Sequence, residues 1–214
     1  AVKGRITHQQ HCVMAQHAAS GGRIFIDGQP LRERDVTGRI SRGLALIPED
    51  RKRDGLVQIM SIRENLTLSS LGLFTRVFHL DLRAEAAKAM EFVKRLTIKI
   101  ASPENPVSSL SGGNQQKVVI GKALMTSPKV LLMDEPSRGI DIGAKAEVFR
   151  TMRALAADGL GILFVTSDLD EVLALSDRIL VMANGRLAGE FPQGTDAATV
   201  IAAATPFANK DHAA

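Results

Sequence analysis

Two short segments carry residue types that suit phosphate and metal chemistry. The first, LSGGNQQK from Leu110 to Lys117, places a serine and two glycines before a predicted helix. Glycines let the backbone approach a phosphate closely, and the first N–H groups of a helix attract an anion together with the helix dipole. Taken alone, the segment is better explained as a loop that caps a helix.

The second segment, VLLMDEP from Val130 to Pro136, is an apolar strand that ends in two carboxylates. Asp134 stands at the carboxyl end of the strand, where ligands bind in open parallel sheets and where a carboxylate can hold Mg²⁺ through water. Glu135 follows it and can orient or deprotonate an attacking water. The plainer alternative is a strand end with two solvated acids before a turn.

The elements that must position these segments are those of an α/β protein. A strand and an Asp-Gly turn are predicted at 22–28, and a short apolar strand stopped by Pro48 is predicted at 43–50. From Ser61 to about Thr97 the spacing is helical, beginning with a capping box of Ser61 and Glu64. After Gly113 helices alternate with strands, two of them almost wholly apolar, which predicts a parallel sheet covered on both faces. The charged stretch RKRDGL, 51–56, could form a phosphate-binding patch, but the acids at 49, 50 and 54 nearly cancel its charge, so a solvated loop is favoured.

Composition narrows the class of protein. The chain has 214 residues, of which 45% are hydrophobic and 23% charged, enough for one large domain or a core with a subdomain. The net charge of +4 is spread along the chain and there is no Trp or Tyr, which argues against a nucleic-acid partner. A single cysteine, Cys12, excludes an internal disulfide. No apolar run approaches the roughly 18 residues of a membrane span.

Together the two segments resemble the ATP-binding cassette family of ATPases. LSGGNQQK is similar to the family's signature motif, VLLMDEP to its Walker B strand, and SRGID, Ser137 to Asp141, to its D-loop. PEDRKRDGL, Pro48 to Leu56, together with GGNQQK resembles a narrower group, the ATPase subunits of bacterial sugar importers of the ribose, xylose and galactose type. Within that group the chain is most similar to the second, C-terminal cassette of a tandem subunit.

The resemblance implies a P-loop NTPase-like cassette with a mostly parallel sheet core, an N-terminal antiparallel β portion and an inserted α-helical subdomain. It implies ATP and Mg²⁺ as cofactors. The implied partners are a first nucleotide-binding cassette, a transmembrane sugar permease and, indirectly, a periplasmic sugar-binding protein, at the cytoplasmic face of the bacterial inner membrane. The expected divisions are an irregular remnant at 1–21, the antiparallel part and Q-loop region at 22–57, the helical subdomain with the signature at 58–115, the catalytic core at 116–194 and a tail at 195–214.

In this family ATP lies between two cassettes, so the resemblance assigns two groups of site residues. The first group would clamp ATP held by the other cassette: Ser111, Gly112, Gly113 and Gln115. The second group belongs to the chain's own site: Asp134, which would also hold Mg²⁺ through water, with Glu135 and Ser167, all three as catalytic residues. Glu49 and Asp141 are expected at further nucleotide-binding positions. Glu49 stands where the Q-loop glutamine is usual, and Ser167 stands where the switch histidine is usual.

The sequence also departs from the family pattern. No segment reads G-x-x-x-x-G-K-[ST]; at most Gly4 to Thr7 is the tail of a degenerate phosphate loop, so we expect a chain truncated at or just after that loop. Two functions follow as hypotheses: an ATP-hydrolysing second cassette that energises monosaccharide import, or a non-hydrolytic cassette that only supplies its signature to a partner's ATP site. The isolated chain is expected to be inactive. A chromosome-associated or DNA-repair ATPase is disfavoured, because the long coiled-coil insertions of that class are missing.

Two further groups have a functional and a plain interpretation. His8, His11, Cys12 and His17 have spacings that could bind zinc, but a polar, irregular terminus is favoured because no second cysteine pair supports a site. Met60, Ile62, Leu66 and Leu68 lie where the resemblance places the contact with a permease, but their spacing alone favours a helix core.

Overall fold

The structure is a computed structural model that describes residues 13–14, 21–77 and 79–205. We number its principal elements in chain order: β1 Phe25–Ile26, β2 Gln29–Pro30, α1 Val36–Ser41, β3 Leu44–Ile47, α2 Ile62–Thr67, β4 Thr75–Arg76, β5 His79–Leu80, α3 Leu82–Arg95, α4 Gly112–Leu124, β6 Val130–Asp134, α5 Ile142–Ala157, β7 Gly161–Val165, α6 Leu169–Leu175, β8 Arg178–Ala183, β9 Arg186–Pro192 and α7 Ala197–Ala204. Short turns of π-helix at Arg51–Gly55 and of 3-10 helix at Leu68–Leu73 and Val107–Ser109 complete the set.

A parallel sheet of order β3–β6–β7 forms the centre of the described residues. The strand β6 lies between the other two, and Leu131, Leu132 and Met133 along it are buried. The strand β7 differs from the fully buried strand expected from its apolar sequence, because Leu163 is 46% exposed. Since parallel strands end at the same edge, the sheet brings the residues after β3, β6 and β7 together.

Antiparallel pairs lie before and after this sheet. In the first, β1 and β2 join through Asp27 and Gly28, whose φ angles of 50° and 73° are those of the predicted Asp-Gly hairpin turn. In the second, β8 pairs with β9, and α7 packs on this hairpin through Val200. The predicted fold class, an α/β cassette with a parallel core and an antiparallel portion, is therefore confirmed in its described elements.

The region between β3 and β6 is mainly helical, as its sequence spacing predicts. Helix α2 begins with the predicted capping box, in which Ser61 and Glu64 bond reciprocally, and Asp81 caps α3. Ile62 and Leu66 are fully buried, so the helix-core interpretation of these two residues is correct. Helix α4 then carries the chain from the Ser-Gly-Gly turn back toward β6, with Val118 and Ile120 in the main core.

One local prediction is wrong. Residues 51–55 form a π-helical turn rather than a solvated loop, because Asp50 accepts hydrogen bonds from the N–H groups of Lys52 and Arg53. Arg51, predicted to be solvated, is only 8% exposed.

The candidate N-terminal zinc ligands are not among the residues that the structure describes. These are His8, His11, Cys12 and His17, and most of the predicted remnant at 1–21 also lies outside the described residues. Within the described part of the chain, no helix has both the length and the apolar character to span a bilayer.

Candidate functional site

Asp134 and Glu135 stand where the central sheet ends. Asp134 is the last residue of β6 and is 1% exposed, and it lies in register with Val165 of β7. The Glu135 N–H donates to the Val165 carbonyl across 2.8 Å. Glu135 has a φ of 47°, in the left-handed region that is rare for a residue with a side chain. This turn directs the chain away from the sheet directly after the two acids.

The Glu135 carboxylate is held by the loop that follows β7. Its Oε1 accepts the Ser167 N–H across 3.0 Å, and its Oε2 lies 3.4 Å from the Thr166 hydroxyl. The structure therefore brings together Glu135 and Ser167, which the sequence placed on separate segments. Ser167 contributes its backbone N–H to this contact.

A buried acid, Glu171, organises the surroundings of that contact. Glu171 lies in the first turn of α6, is 2% exposed, and accepts hydrogen bonds from the hydroxyls of Ser137 and of Thr166, the latter across 2.8 Å. The Nζ atom of Lys145, in α5, lies 2.8 Å from Glu171 Oε1 and 2.7 Å from Asp168 Oδ2. Both Glu171 and Lys145 line, with Glu135 and Ser167, a cavity of about 470 Å³.

The charges of this cluster stabilise one another. Hydrogen bonds to Asp168 and then to Glu171 raise the pKa of Lys145, so its ammonium form is favoured. The hydrogen bond from Lys145 lowers the pKa of Asp168, which favours the carboxylate. Lys145 thus offsets the negative charge beside Glu135 and fixes α6 against α5.

Asp134 and Glu49 line a second cavity, of about 630 Å³. Glu49 follows β3 and forms an ion pair with Arg138, in the segment after Glu135. The parallel register of β3 and β6 brings these two predicted positions to one edge, although they are far apart in sequence.

The Ser-Gly-Gly turn is shaped by close packing. Ser111 is exposed, is the N-cap residue of α4, and its hydroxyl accepts from the Asn114 amide across 3.0 Å. A Cβ on Gly113 would lie 2.4 Å from the Cβ of Ala144, and one on Gly112 would lie 2.8 Å from Arg51 Nη2. Gly113 is therefore required for packing against α5, and Gly112 allows Arg51 and the Gly139 carbonyl to lie close to the turn, in addition to any approach by a phosphate.

The other two predicted contacts are placed differently. Gln115 is 4% exposed, and its amide donates to the carbonyls of Leu110, across 3.1 Å, and Val107, across 3.3 Å. The side chain is thus turned inward to support the loop before α4, away from the exposed face of Ser111. Asp141 caps α5 by accepting the Ala144 N–H across 2.9 Å.

Sequence comparison assigns the family. The family model described as ABC transporter matches residues 10–138, more than half of the chain. The chain belongs to the ABC transporter family. The predicted resemblance to its ATP-binding cassettes is confirmed by this match.

Curated members of the ABC transporter family are similar over most of the chain. The xylose import ATP-binding protein XylG of Pseudomonas syringae pv. tomato is 46% identical over 170 residues, which are 79% of this chain and 32% of that protein. The ribose import ATP-binding protein RbsA 1 of Streptomyces coelicolor is 48% identical over 186 residues, which are 86% of this chain and 37% of that protein. The chain therefore spans about a third of the length of these relatives.

Solved structures show the same fold. A nucleotide-free ATP-binding cassette from an ABC transporter superposes with a TM-score of 0.76 at 22% identity, covering 94% of this chain and 79% of that one. A dimeric cassette in a post-hydrolysis state, bound to ADP and Pi, superposes with a TM-score of 0.72 at 19% identity, covering 91% of this chain and 82% of that one. At these identities the likeness concerns the cassette fold alone.

The donor set at the end of β6 fits Mg²⁺ in part. Asp134 offers carboxylate oxygens, the ligand type that Mg²⁺ prefers, at a strand end that opens on a cavity. No group of three or more His, Cys, Asp or Glu residues suited to a metal occurs among residues 13–14, 21–77 and 79–205. An ion held at Asp134 would thus take further oxygens from water and substrate phosphates, as Mg²⁺ usually does.

Several residues of this ABC transporter site escaped sequence reasoning. Arg51, Lys145, Thr166 and Glu171 were not predicted, yet their side chains hold the segments that carry the predicted residues. A signal existed for Glu171: Asp168 and Glu171 in TSDLDE form the N-cap and first turn of a helix directly after an apolar strand. No comparable signal marked Arg51, because it lies in a charged stretch.

Proposed function

We propose that this chain is an ATP-binding cassette that energises import of a monosaccharide, and that it acts as the second of two cassettes. The similarity to proteins named for xylose and ribose import supports the substrate class. The proposed partners are a first cassette, a transmembrane sugar permease and a periplasmic sugar-binding protein. The proposed location is the cytoplasmic face of the inner membrane, on the permease.

The observation that carries the hydrolytic part of the proposal is the placement of Glu135. Its carboxylate lies beside the loop after β7, with one oxygen fixed by the Ser167 N–H at 3.0 Å. A carboxylate fixed in this way can orient an attacking water and accept its proton. Asp134, one residue earlier, is proposed to hold Mg²⁺ through water; when bound, the ion neutralises charge on the phosphate oxygens.

The signature turn is proposed to act on ATP held by the other cassette. Ser111 is exposed at the start of the 13-residue helix α4, and the first N–H groups of a helix together with its positive dipole end attract an anion. These groups suit the γ-phosphate of a nucleotide that another chain or another cassette presents. The residues proposed for this contact are Ser111, Gly112 and Gly113. Gln115 is left out, because its amide is bound inside the chain.

A non-hydrolytic cassette is the second candidate, and the chemistry at Ser167 favours it. A serine hydroxyl cannot act as an imidazole does in donating to a phosphate and carrying a proton near neutral pH. Among the described residues the one histidine is His79, in the β4–β5 hairpin. In this alternative the chain supplies Ser111 to Gly113 to a partner's site and hydrolyses nothing itself.

A chimaera tests the proposed function and separates the candidates. The segment of the Pseudomonas syringae XylG that aligns with this chain is replaced by the matching segment of this chain, and xylose uptake is measured in cells that lack XylG. We expect uptake above that of the empty vector. A folded, membrane-associated chimaera without uptake would contradict the sugar-import proposal.

The same chimaera tests the role of Glu135. The corresponding carboxylate of the first cassette is changed to glutamine, so that any remaining ATP hydrolysis arises at the Glu135 site. We then expect E135Q to lower the remaining hydrolysis by a factor on the order of 10². The matched control is E190Q, which makes the same change on the exposed hairpin strand β9. If E135Q leaves hydrolysis and uptake as they are, the non-hydrolytic alternative is the correct one.

A further inference from the structure

Two segments of the proposed nucleotide site meet at one buried arginine. We infer that Arg51 is a positioning residue that holds the D-loop segment, Ser137 to Asp141, against the signature turn, Ser111 to Gly113, so that both move as one unit. The inference rests on the proposed function only where it concerns catalysis. Its structural part concerns the chain alone.

The guanidinium of Arg51 binds two successive backbone carbonyls. Its Nη1 donates to the Arg138 carbonyl across 2.6 Å, and its Nη2 donates to the Gly139 carbonyl across 2.7 Å. These partners lie in the middle of the D-loop segment, where Gly139 adopts a φ of 66°. A planar fork of donors matches two neighbouring acceptors, whereas the ammonium of a lysine is a point donor.

The same guanidinium lies against the signature turn. A Cβ on Gly112 would be 2.8 Å from Arg51 Nη2 and 3.2 Å from the Gly139 carbonyl oxygen. The absence of a side chain at position 112 therefore allows the turn, the guanidinium and the D-loop backbone to pack in direct contact. Arg51 is the side chain that fills the space between the two segments.

The backbone that carries Arg51 is itself fixed to helix α4. The Lys122 ammonium donates to the Gly55 carbonyl at the end of the π-helical turn, and a Cβ on Gly55 would lie 3.2 Å from Val119. Both Lys122 and Val119 belong to α4, which begins at the signature turn. The backbone of Arg51 is thus attached to α4, and its side chain reaches the D-loop segment.

The guanidinium of Arg51 is buried, so the loss of its hydrogen bonds to the D-loop carbonyls should be costly. Desolvation lowers the pKa of Arg51, and the charge of Asp50 opposes this shift. A buried guanidinium needs hydrogen-bond acceptors, and the two D-loop carbonyls supply them. The D-loop is also attached to this region by the ion pair between Arg138 and Glu49. The segment from Glu49 to Gly55 therefore joins the end of β3, the D-loop and the signature turn.

The expected consequence is a loss of precision rather than a loss of nucleotide affinity. Without the guanidinium, the D-loop backbone loses two hydrogen-bond donors, and the signature turn loses the side chain that packs against both Gly112 and Gly139. A misplacement of about 1 Å in a catalytic assembly costs on the order of 10²-fold in rate. Since Arg51 is not proposed to contact ATP, KM for ATP should change little.

Hydrogen exchange on this chain, followed by mass spectrometry, tests the structural part. We expect R51M to increase exchange of the amides of 137–141, and R51K to increase it as well, because one ammonium cannot bond both carbonyls in the same plane. The matched control is R53M, in the same turn, where the side chain is 84% exposed. Exchange of 137–141 in R51M equal to that of the unchanged chain would overturn the inference, whether or not the chain hydrolyses ATP.

Steady-state hydrolysis by the XylG chimaera tests the catalytic part. We expect R51M and R51K to lower kcat by a factor on the order of 10 to 10², with KM for ATP within about twofold. R53M should match the unchanged chimaera. A variant with a lower melting temperature but unchanged kcat per folded molecule would show a merely structural role and overturn the inference. If R51M does not fold, the kcat of R51K tests the inference instead. A chimaera that hydrolyses no ATP counts against the proposed function alone, because the exchange experiment still tests the role of Arg51.

Discussion

Gly113 is a position at which the signature turn lies directly against helix α5. The ideal Cβ of a residue there would lie 2.4 Å from the Cβ of Ala144, well inside van der Waals contact. Neither partner can move away easily, because Gly113 is buried in the first turn of α4 and Ala144 lies in the first turn of α5. The glycine is therefore a packing requirement whatever it contributes to phosphate binding.

We predict that Gly113→Ala destabilises the chain by about 1–3 kcal/mol through overpacking. Each kcal/mol lowers the melting temperature of a domain of this size by about 2–4 °C. Thermal unfolding monitored by circular dichroism measures the effect. Gly72→Ala is the matched control, because a Cβ there meets nothing within 4 Å. Equal melting temperatures for the two variants would show that the turn is looser than its geometry indicates.

Helix α2 is bound to its neighbours by ionic hydrogen bonds. Arg63 donates to Glu85 of α3 across 2.5 Å and to Glu104 across 2.8 Å. The hydrogen bonds from Arg63 lower the pKa of Glu104, and those from the Ser61 hydroxyl and N–H lower the pKa of Glu64. Both carboxylates are thus held in the charged form by the folded chain.

These shifts predict how the stability of the chain depends on pH. A carboxylate whose pKa is lowered by folding stabilises the native state above its unfolded pKa, about 4.3 for Glu. That contribution is lost as the pH falls through the lower, folded pKa. We expect the free energy of unfolding to fall below about pH 4.3, and to fall less for E104Q, which has no carboxylate to protonate there.

Urea denaturation at pH 7 and at several values between pH 5 and pH 3 measures this difference. The relevant quantity is the change in unfolding free energy with pH, not its value at pH 7, because E104Q also removes a contact to Arg63. If the unfolding free energies of E104Q and of the unchanged chain changed equally with pH, the lowered pKa of Glu104 beside Arg63 would be contradicted.

Two functional groups on one chain are proposed to serve two different ATP sites of the assembled transporter. Ser111 is exposed at the positive end of α4, whereas Ser167 lies in the site proposed for the chain itself and donates its backbone N–H to Glu135. Replacing a side chain should impair function more where the side chain itself makes the contact than where the residue contributes only its backbone N–H. The two serines should therefore differ in their tolerance of substitution.

We predict that Ser111→Arg abolishes or strongly impairs xylose uptake by the chimaera, because a long cation replaces a small side chain at the surface that meets the other cassette. Ser167→Ala should have a small effect, since it keeps the N–H that bonds Glu135. Uptake of labelled xylose per folded complex is the measurement. The reverse order of effects would mean that the two sites have been assigned to the wrong groups.

Local sequence patterns predicted most of the helices and strands of this molecule. The Asp27–Gly28 turn, the capping box of Ser61 and Glu64, and the alternation of helices with apolar strands after Gly113 all correspond to observed elements. Each depends on neighbours within a few residues, such as hydrogen bonds from a cap or the period of apolar side chains. The position of Asp134 and Glu135 at a strand end follows from the same local rules.

The surroundings of the site depended on contacts between distant segments. Arg51 looked like part of a solvated loop, because its charged neighbours suggest exposure; its buried contact is with Arg138, 87 residues away. Gln115 looked like a ligand because it lies in the signature motif, but its amide faces the carbonyls of Leu110 and Val107. Composition and spacing do not encode which face of a turn is covered by a later segment.

The sequence was therefore enough for most of the helices and strands, for the α/β class, for the family and for the location of the two acids, but not for α1, the β4–β5 hairpin or the π-helical turn. Only the tertiary structure decided that Ser167 fixes Glu135 through its N–H, that Lys145 and Glu171 form the charged wall of that site, and that Arg51 joins the D-loop to the signature turn. The physical reason is desolvation: a charged side chain is buried only where the fold supplies partners from elsewhere in the chain.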